Sequence, residues 1–384
     1  MSLLSIARRL EEPIVWLNGD EGMVAAGEAA RIDVGTGPDR FRRAAQELRR
    51  VFASPGRRAF AFGSFTFDAD SPGSVLVVPQ VVWGRTGGRD WVEALDADPE
   101  AFLRERPAPR PDRVRYAGSS ISEVAWLDAV ARAVDTIERG EVDKVVLARD
   151  VLVWSEQSFD VPSLLERLSA RFPGCFTFSC AGLIGATPEL LVARSGDDVR
   201  SVVLAGSVAR GSDAAEDERL ASALMTSEKD LAEHAFAVDS VTGPLSDVCA
   251  ELKVEGPLLL RLANVQHIST RVHGRVTPAH QESALELAGL LHPTAAVGGT
   301  PREPALEVIR TLEGMDRGRY SGPVGWVDSN GDGEWGIALR CGRFEGARGR
   351  LFAGNGIVAG SEPEAELEET RLKLRAMMSA LEGA

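Results

Sequence analysis

Lysine is nearly missing from this sequence: of 43 basic residues only four are lysines, Lys144, Lys229, Lys253 and Lys373. Arginine fills the other basic positions. A lysine that remains is therefore a candidate for what arginine cannot do, such as releasing a proton or acting as a compact point charge. Lys253, in ELKVEG, reads as a chance survivor. Long apolar runs are missing too, none approaching the roughly 20 residues of a membrane-spanning helix. In the N-terminal MSLLSIARRLEEPIVWLNGD, charges flank each short apolar run, which argues against a signal peptide. Cysteine is sparse: Cys175, Cys180, Cys249 and Cys341 form no CxxC pair and no zinc spacing, as expected of reduced thiols in a cytoplasm. Positive charge is in deficit, the net charge being -14, which argues against nucleic acid or an anionic membrane as partner. An anionic substrate would need positive charge gathered locally.

What is present is ordinary for a soluble globular protein: 384 residues, 44% apolar and 26% charged, enough for one large domain or two. Residues 1–112 carry no catalytic motif; a helix is expected from about Asp39 to Val51, then strands in RAFAFGSFTFD and SVLVVPQVVWGR. The proline- and arginine-rich stretch 106–114 is the candidate linker to a catalytic region over 113–384. Val124, Leu127, Val130, Ala131, Val134 and Ile137 have helical spacing, and Gly140 stops that helix. The β-branched run DKVVLARDVLV follows, its alternation putting Lys144, Val146 and Ala148 on one face. A lysine there either snorkels to solvent or is desolvated and able to serve as a base.

An antiparallel meander is expected over 176–206, with AGLIGATPELLVAR as one strand. Glu189, just after Pro188 among small and apolar residues, either sits at a strand edge in water or is held protonated as a proton donor. The segment 214–241 reads as largely helical, with a capping pattern from Ser227 to Asp230 and Asp230 and Glu233 on one face. A second meander takes in GRYSGPVGWVDS, EWGIALRCGRF and RLFAGNGI, and holds Arg340, a natural partner for a carboxylate. Two motifs mislead. Asp328-Ser-Asn330-Gly-Asp332 opens like a calcium loop, but its twelfth position is Leu339, so a hairpin turn is expected. Gly354-x-Gly356-x-x-Ala359 matches a dinucleotide fingerprint, but no second strand of a βαβ unit follows.

The last stretch, AGNGIVAGSEPEAELEETRLKL, joins a glycine-rich run to a patterned helix. Ser361 and Glu364 fit a capping box, with Pro363 in the first turn. Glu362, Glu366, Glu369 and Lys373 share one face, and Leu367, Leu374, Met378 and Leu381 form an apolar stripe. Carboxylates with an ammonium beside them suit a hard divalent cation and an anionic substrate. Alone, they read first as a solvated helix with ordinary Glu-to-Lys pairs.

Taken together, DKVVLAR, GATPELL, LAGS, SEKDLAEH, VQH, HPTxAVGG, YSGPVGW, ALRC, LFAGNGI and ExExEETRLK resemble, in order, the motifs of the chorismate-utilising enzymes. The resemblance covers roughly 116–384 and is strongest to the isochorismate synthases of that anthranilate synthase component I-like family. It implies an α+β fold, with stacked antiparallel sheets surrounded by helices, and a Mg²⁺-dependent site. Lys144 would be the base that activates water and Glu189 the acid that protonates the departing C4 hydroxyl of chorismate. Glu233 and Glu369 would hold Mg²⁺, with Glu366 and Asp230 near it, directly or through water. Gly206, Gly354, Arg340 and Lys373 would bind the substrate carboxylates, while Ala296, Val297, Tyr320, Leu339 and Phe352 would wall the ring. Lys144 points to water rather than ammonia as nucleophile, and Ala296 stands where salicylate synthases typically carry threonine. Salicylate synthase is the second reading, and a catalytically idle chorismate-binding protein the third. A monomer or weak homodimer is the family expectation.

Overall fold

The computed structural model describes residues 2–53, 58–106, 113–262, 265–277 and 279–382. Residues 107–112, the centre of the expected linker, lie outside the described residues. Two large antiparallel sheets form the body, with helices around them. In the first, Gly299–Thr300, Lys144–Trp154, Arg348–Ile357, Cys341–Glu345, Leu183–Thr187 and Phe176–Cys180 lie side by side. In the second, Cys249–Arg261, Val265–Val276, Asp198–Ala209, Leu190–Ser195, Gly333–Ile337 and Pro323–Asp328 do the same. The N-terminal third extends both: Ile14–Asn18, Glu21–Ala26, Val81–Thr86 and Arg89–Ala94 join the first sheet, and Phe60–Ser64, Val75–Val78 and Ala30–Asp33 the second. A core containing Trp16 and Phe178 of the first sheet and Phe62 and Val324 of the second binds the two. Removing such a side chain from water is worth about 1.5–3 kcal/mol. This is the α+β arrangement expected from sequence.

Two expected strands are each two. AGLIGATPELLVAR leaves the first sheet at Thr187 and enters the second at Leu190; EWGIALRCGRF leaves the second at Ile337 and enters the first at Cys341. The breaks have local causes. Pro188 has no N–H to give a ladder, and Arg340 takes φ +45°, off the extended path. The crossings run side by side and bond to each other. Thr187 Oγ1 donates to the Ile337 carbonyl (2.6 Å), the Ile337 N–H to the Glu189 carbonyl (3.2 Å) and the Ala186 N–H to the Arg340 carbonyl (3.2 Å). Glu189 and Arg340 thus stand at the paired corners where the sheets exchange chain.

The helices follow their patterns closely. Helices span Arg40–Val51, Glu123–Glu138 and Glu228–Val248, and Ser227 accepts from the Asp230 N–H as its spacing predicts. The C-terminal helix is Pro363–Glu382, with Leu367, Leu374 and Leu381 buried. Its expected capping box does not form. The helix starts at Pro363, and the Ser361 hydroxyl accepts from the Val358 N–H instead (3.2 Å) and bonds the Glu366 carboxylate. All four cysteines are free and buried. No helix among the described residues is long and apolar enough to cross a membrane.

Candidate active site

A cavity of about 410 Å³ opens where the sheet crossings, the Glu228–Val248 helix and the C-terminal helix converge. Fourteen of the fifteen residues proposed from sequence border it, Lys144 being the exception. Carboxylates of Asp230 and Glu233 face it from one helix, and those of Glu366 and Glu369 from the other. Arg340 and Glu189 come from the crossings, and Tyr320 and Phe352 stack at 5.0 Å and 8° to form a flat wall. Gly206 lies at a register shift between Ala205 and Ser207, with φ +75°. A β-carbon there would come within 3.1 Å of Ile268 and 3.3 Å of Asp230, so the backbone approaches the cavity only as glycine.

Lys144 neither snorkels nor borders the cavity. It is fully buried at the start of its strand, its Nζ 3.0 Å from Glu233 Oε1. The alignment is that of an ion pair rather than a directed hydrogen bond, because the ammonium has no well-angled acceptor. Its neighbours Glu233 and Gly356 do border the cavity. A β-carbon on Gly356 would lie 2.2 Å from Glu233 Oε1 and 2.9 Å from Lys144 Cε, so a glycine at this point in the sheet is what lets the pair form.

Three of the four lysines meet the carboxylates here. Lys144 pairs with Glu233 (3.0 Å), Lys373 with Glu369 (2.9 Å) and Lys229 with Glu366 (3.5 Å). Lys253 lies apart, exposed and paired with Glu255. Burial pushes the carboxyls of Asp230 and Glu366 up, and nearby negative charge, Glu233 and Glu369 for the first and Glu369 for the second, adds to it. Burial pushes Glu369 the same way, but Lys373 and the Ser207 hydroxyl (2.8 Å) outweigh it and leave that carboxyl low.

Hard oxygen donors reach the cavity from two helices, and burial with neighbouring negative charge holds the Asp230 and Glu366 carboxyls up, which is the measure of fit to a divalent cation. Among the described residues no three acidic, histidine or cysteine side chains stand close enough together to enclose an ion. Mg²⁺ fits the arrangement all the same, since it is held by one or two carboxylates and keeps several waters.

Glu189 is buried, and burial pushes its carboxyl up to about 8, against a backbone hydrogen bond at Leu204 and the charges of Lys144 and Arg340. At neutral pH it is a carboxylic acid. Arg340 Nη2 donates to His267 Nε2 (2.7 Å). Burial and the charges of Arg340 and Lys373 hold His267 well below its ordinary range. It is therefore neutral, accepts at Nε2 and keeps its proton on Nδ1, which serves Gly206. His267 and Ser207 are site residues that sequence reasoning left out, although the VQH and LAGS motifs contain them. Neither shows by type or spacing what it touches.

The sequence matches the chorismate-binding enzymes over residues 74–382. It is 36% identical over 351 residues to the isochorismate synthase DhbC of Bacillus subtilis, covering 88% of this chain and 85% of that protein. It is 38% identical over 307 residues to the isochorismate synthase MenF of Bacillus subtilis, covering 78% of this chain. The chain spans 64% of that relative's length. The crystal structure of a putative 2,3-dihydroxybenzoate-specific isochorismate synthase, DhbC from Bacillus anthracis, superposes with a TM-score of 0.83 at 33% identity, covering 96% of each chain. With the motif order, the crossed sheets and the sequence match in agreement, this chain belongs to the chorismate-binding enzyme family.

Proposed function

We infer that this chain is an isochorismate synthase, an isomerase that adds water at C2 of chorismate and expels the C4 hydroxyl. The observation that carries the reading is Glu189: a carboxyl kept protonated by burial, bordering a cavity lined by Arg340 and Lys373. A proton donor beside cationic groups suits a dicarboxylate substrate that must lose a hydroxyl. In this reading Glu189 protonates the departing C4 oxygen, and Lys144, which lies behind Glu233 and Gly356 at the cavity wall, takes a proton from the attacking water where that water reaches past them. Arg340, Lys373 and the backbone at Gly206 and Gly354 bind the two carboxylates. The Tyr320–Phe352 wall, with Ala296, Val297 and Leu339, confines the ring.

Glu233, Glu369, Glu366 and Asp230 would hold Mg²⁺, with Glu366 and Asp230 ligating directly or through water. Bound there, the ion supplies charge neutralisation at the ring carboxylate. Glu233 also pairs with Lys144 through Oε1, so a single carboxylate would join the proposed cation site to the proposed base.

The test is turnover of chorismate by the purified protein with Mg²⁺ and with chelator, followed by chromatography. Isochorismate is the expected product with Mg²⁺, at a rate that the Lys144→Ala variant loses while keeping its circular dichroism spectrum. Unchanged turnover in that variant would refute the base assignment, and salicylate formed without a second enzyme would move the protein to the salicylate synthases.

A further inference from the structure

We propose that the buried Arg317–Glu313 pair is a positioning unit that fixes the strand of Lys144 relative to the loop of Ala296 and Val297. The strand Lys144–Trp154 pairs along one edge with Arg348–Ile357 from Val145 to Trp154. Along the other edge, Gly299–Thr300 covers Lys144 and Val145, and Arg115–Tyr116 covers Val153 and Trp154. Among the described residues no strand covers the stretch between. Loop backbone serves its two ends, Gly298 at the Val146 N–H and residues 117–118 at Leu152, and two side chains serve part of the middle. Arg317 Nη2 donates to the Val146 carbonyl (2.7 Å), and Glu313 Oε2 accepts from the Ala148 N–H (2.9 Å). The pair closes on itself through Nε to Oε1 (2.7 Å) and Nη2 to Oε2 (2.6 Å).

The remaining arm of the guanidinium reaches the other wall. Arg317 Nη1 donates to the Val297 carbonyl (2.8 Å), and the guanidinium carbon lies 4.0 Å from the centre of the Phe67 ring. Val146 and Val297 both border the cavity, and Lys144 lies two residues before Val146 on the same face. The fork therefore adds a side-chain brace to the backbone bond from the Val146 N–H to the Gly298 carbonyl (2.7 Å), and both join the strand that carries the proposed base to the loop that walls the proposed ring site. Both side chains are almost wholly buried, 2% and 1% exposed. A buried ion pair is a poor source of stability compared with apolar residues of the same volume. The geometry it imposes, here on two carbonyls and one N–H, is what distinguishes it from them. Lysine would keep the charge but lacks the planar fork that reaches both carbonyls and the carboxylate together.

The role rests on the isochorismate synthase reading, so two kinds of measurement are needed. With wild-type, Arg317→Lys and Arg317→Met/Glu313→Gln proteins of matched thermal midpoint, steady-state kinetics on chorismate should show kcat lowered on the order of 10- to 100-fold, the scale of a displaced catalytic group. KM should change by less than about threefold, since no proposed carboxylate-binding group is touched. If Arg317→Lys turns over within twofold of wild type, charge alone suffices and the positioning role is overturned. Amide hydrogen exchange at Ala148 reads the bracing without any turnover. It should be at least about tenfold faster in both variants, and equal rates overturn the proposal even if wild type proves inactive on chorismate. Wild-type inactivity with faster exchange in the variants would overturn the functional reading and leave the bracing intact.

Discussion

Glu189 ties burial to chemistry at a single residue. Its carboxyl titrates near 4.5 when free and at about 8 in the fold. Between those values the folded protein holds a proton that the unfolded chain has released, so stability falls as pH rises through that window. Catalysis that needs the acid form should fall over the upper part of the same window. We expect kcat to decline above about pH 8 in initial-rate profiles. Glu189→Gln should lose on the order of 10²- to 10⁴-fold in kcat and show no such limb. Its thermal midpoint should gain on wild type as pH is raised towards 9, because an amide has no proton to lose. A limb near pH 8 that survives in Glu189→Gln would assign it to another group. His267 makes the complementary case, a histidine kept neutral so that it can accept from Arg340 rather than repel it.

Among the elements, the C-terminal helix carries the clearest double duty. Its apolar stripe, with Leu367, Leu374 and Leu381 buried, docks it on the body. Its other face brings Glu366, Glu369 and Lys373 to the cavity. Docking and function are therefore coupled through one rigid rod. Leu374→Ala should cost about 2–5 kcal/mol, the usual price of a cavity in a packed core, measured by urea denaturation. If the helix frays from its seat, KM for chorismate should rise with the loss, because Lys373 moves with it. An unchanged urea midpoint would mean that the stripe is not what holds the helix. The helix's start is also where a sequence pattern misled. Ser361 and Glu364 have the spacing of a capping box, yet the hydroxyl bonds the Val358 N–H and the Glu366 carboxylate, partners that helical spacing cannot foresee.

At the scale of the whole molecule, the N-terminal third is a flank of both sheets. Ile14–Asn18 pairs with Phe176–Cys180, and Phe60–Ser64 with Pro323–Asp328. A fragment of residues 113–384 would bare these edges and the inter-sheet core around Phe178 and Val324. We expect it to be insoluble or, on size exclusion and circular dichroism, unfolded; a folded monomeric fragment would make 113–384 an independent domain. The sequence by itself determined the chemistry available: the rare lysines, the carboxylates at helical spacing and the ordered motifs point to fourteen of the residues that line the cavity. Such patterns are local, because alternation and helical spacing are set by the backbone within a few residues. Only the tertiary structure decided that the strands of Glu189 and Arg340 break and cross between sheets. It alone paired Lys144 with Glu233 behind the cavity wall, and set Arg317 between a strand and a loop far apart in the chain. Those partners are chosen by packing at long range, where no repeat in the sequence records which residue will be opposite which.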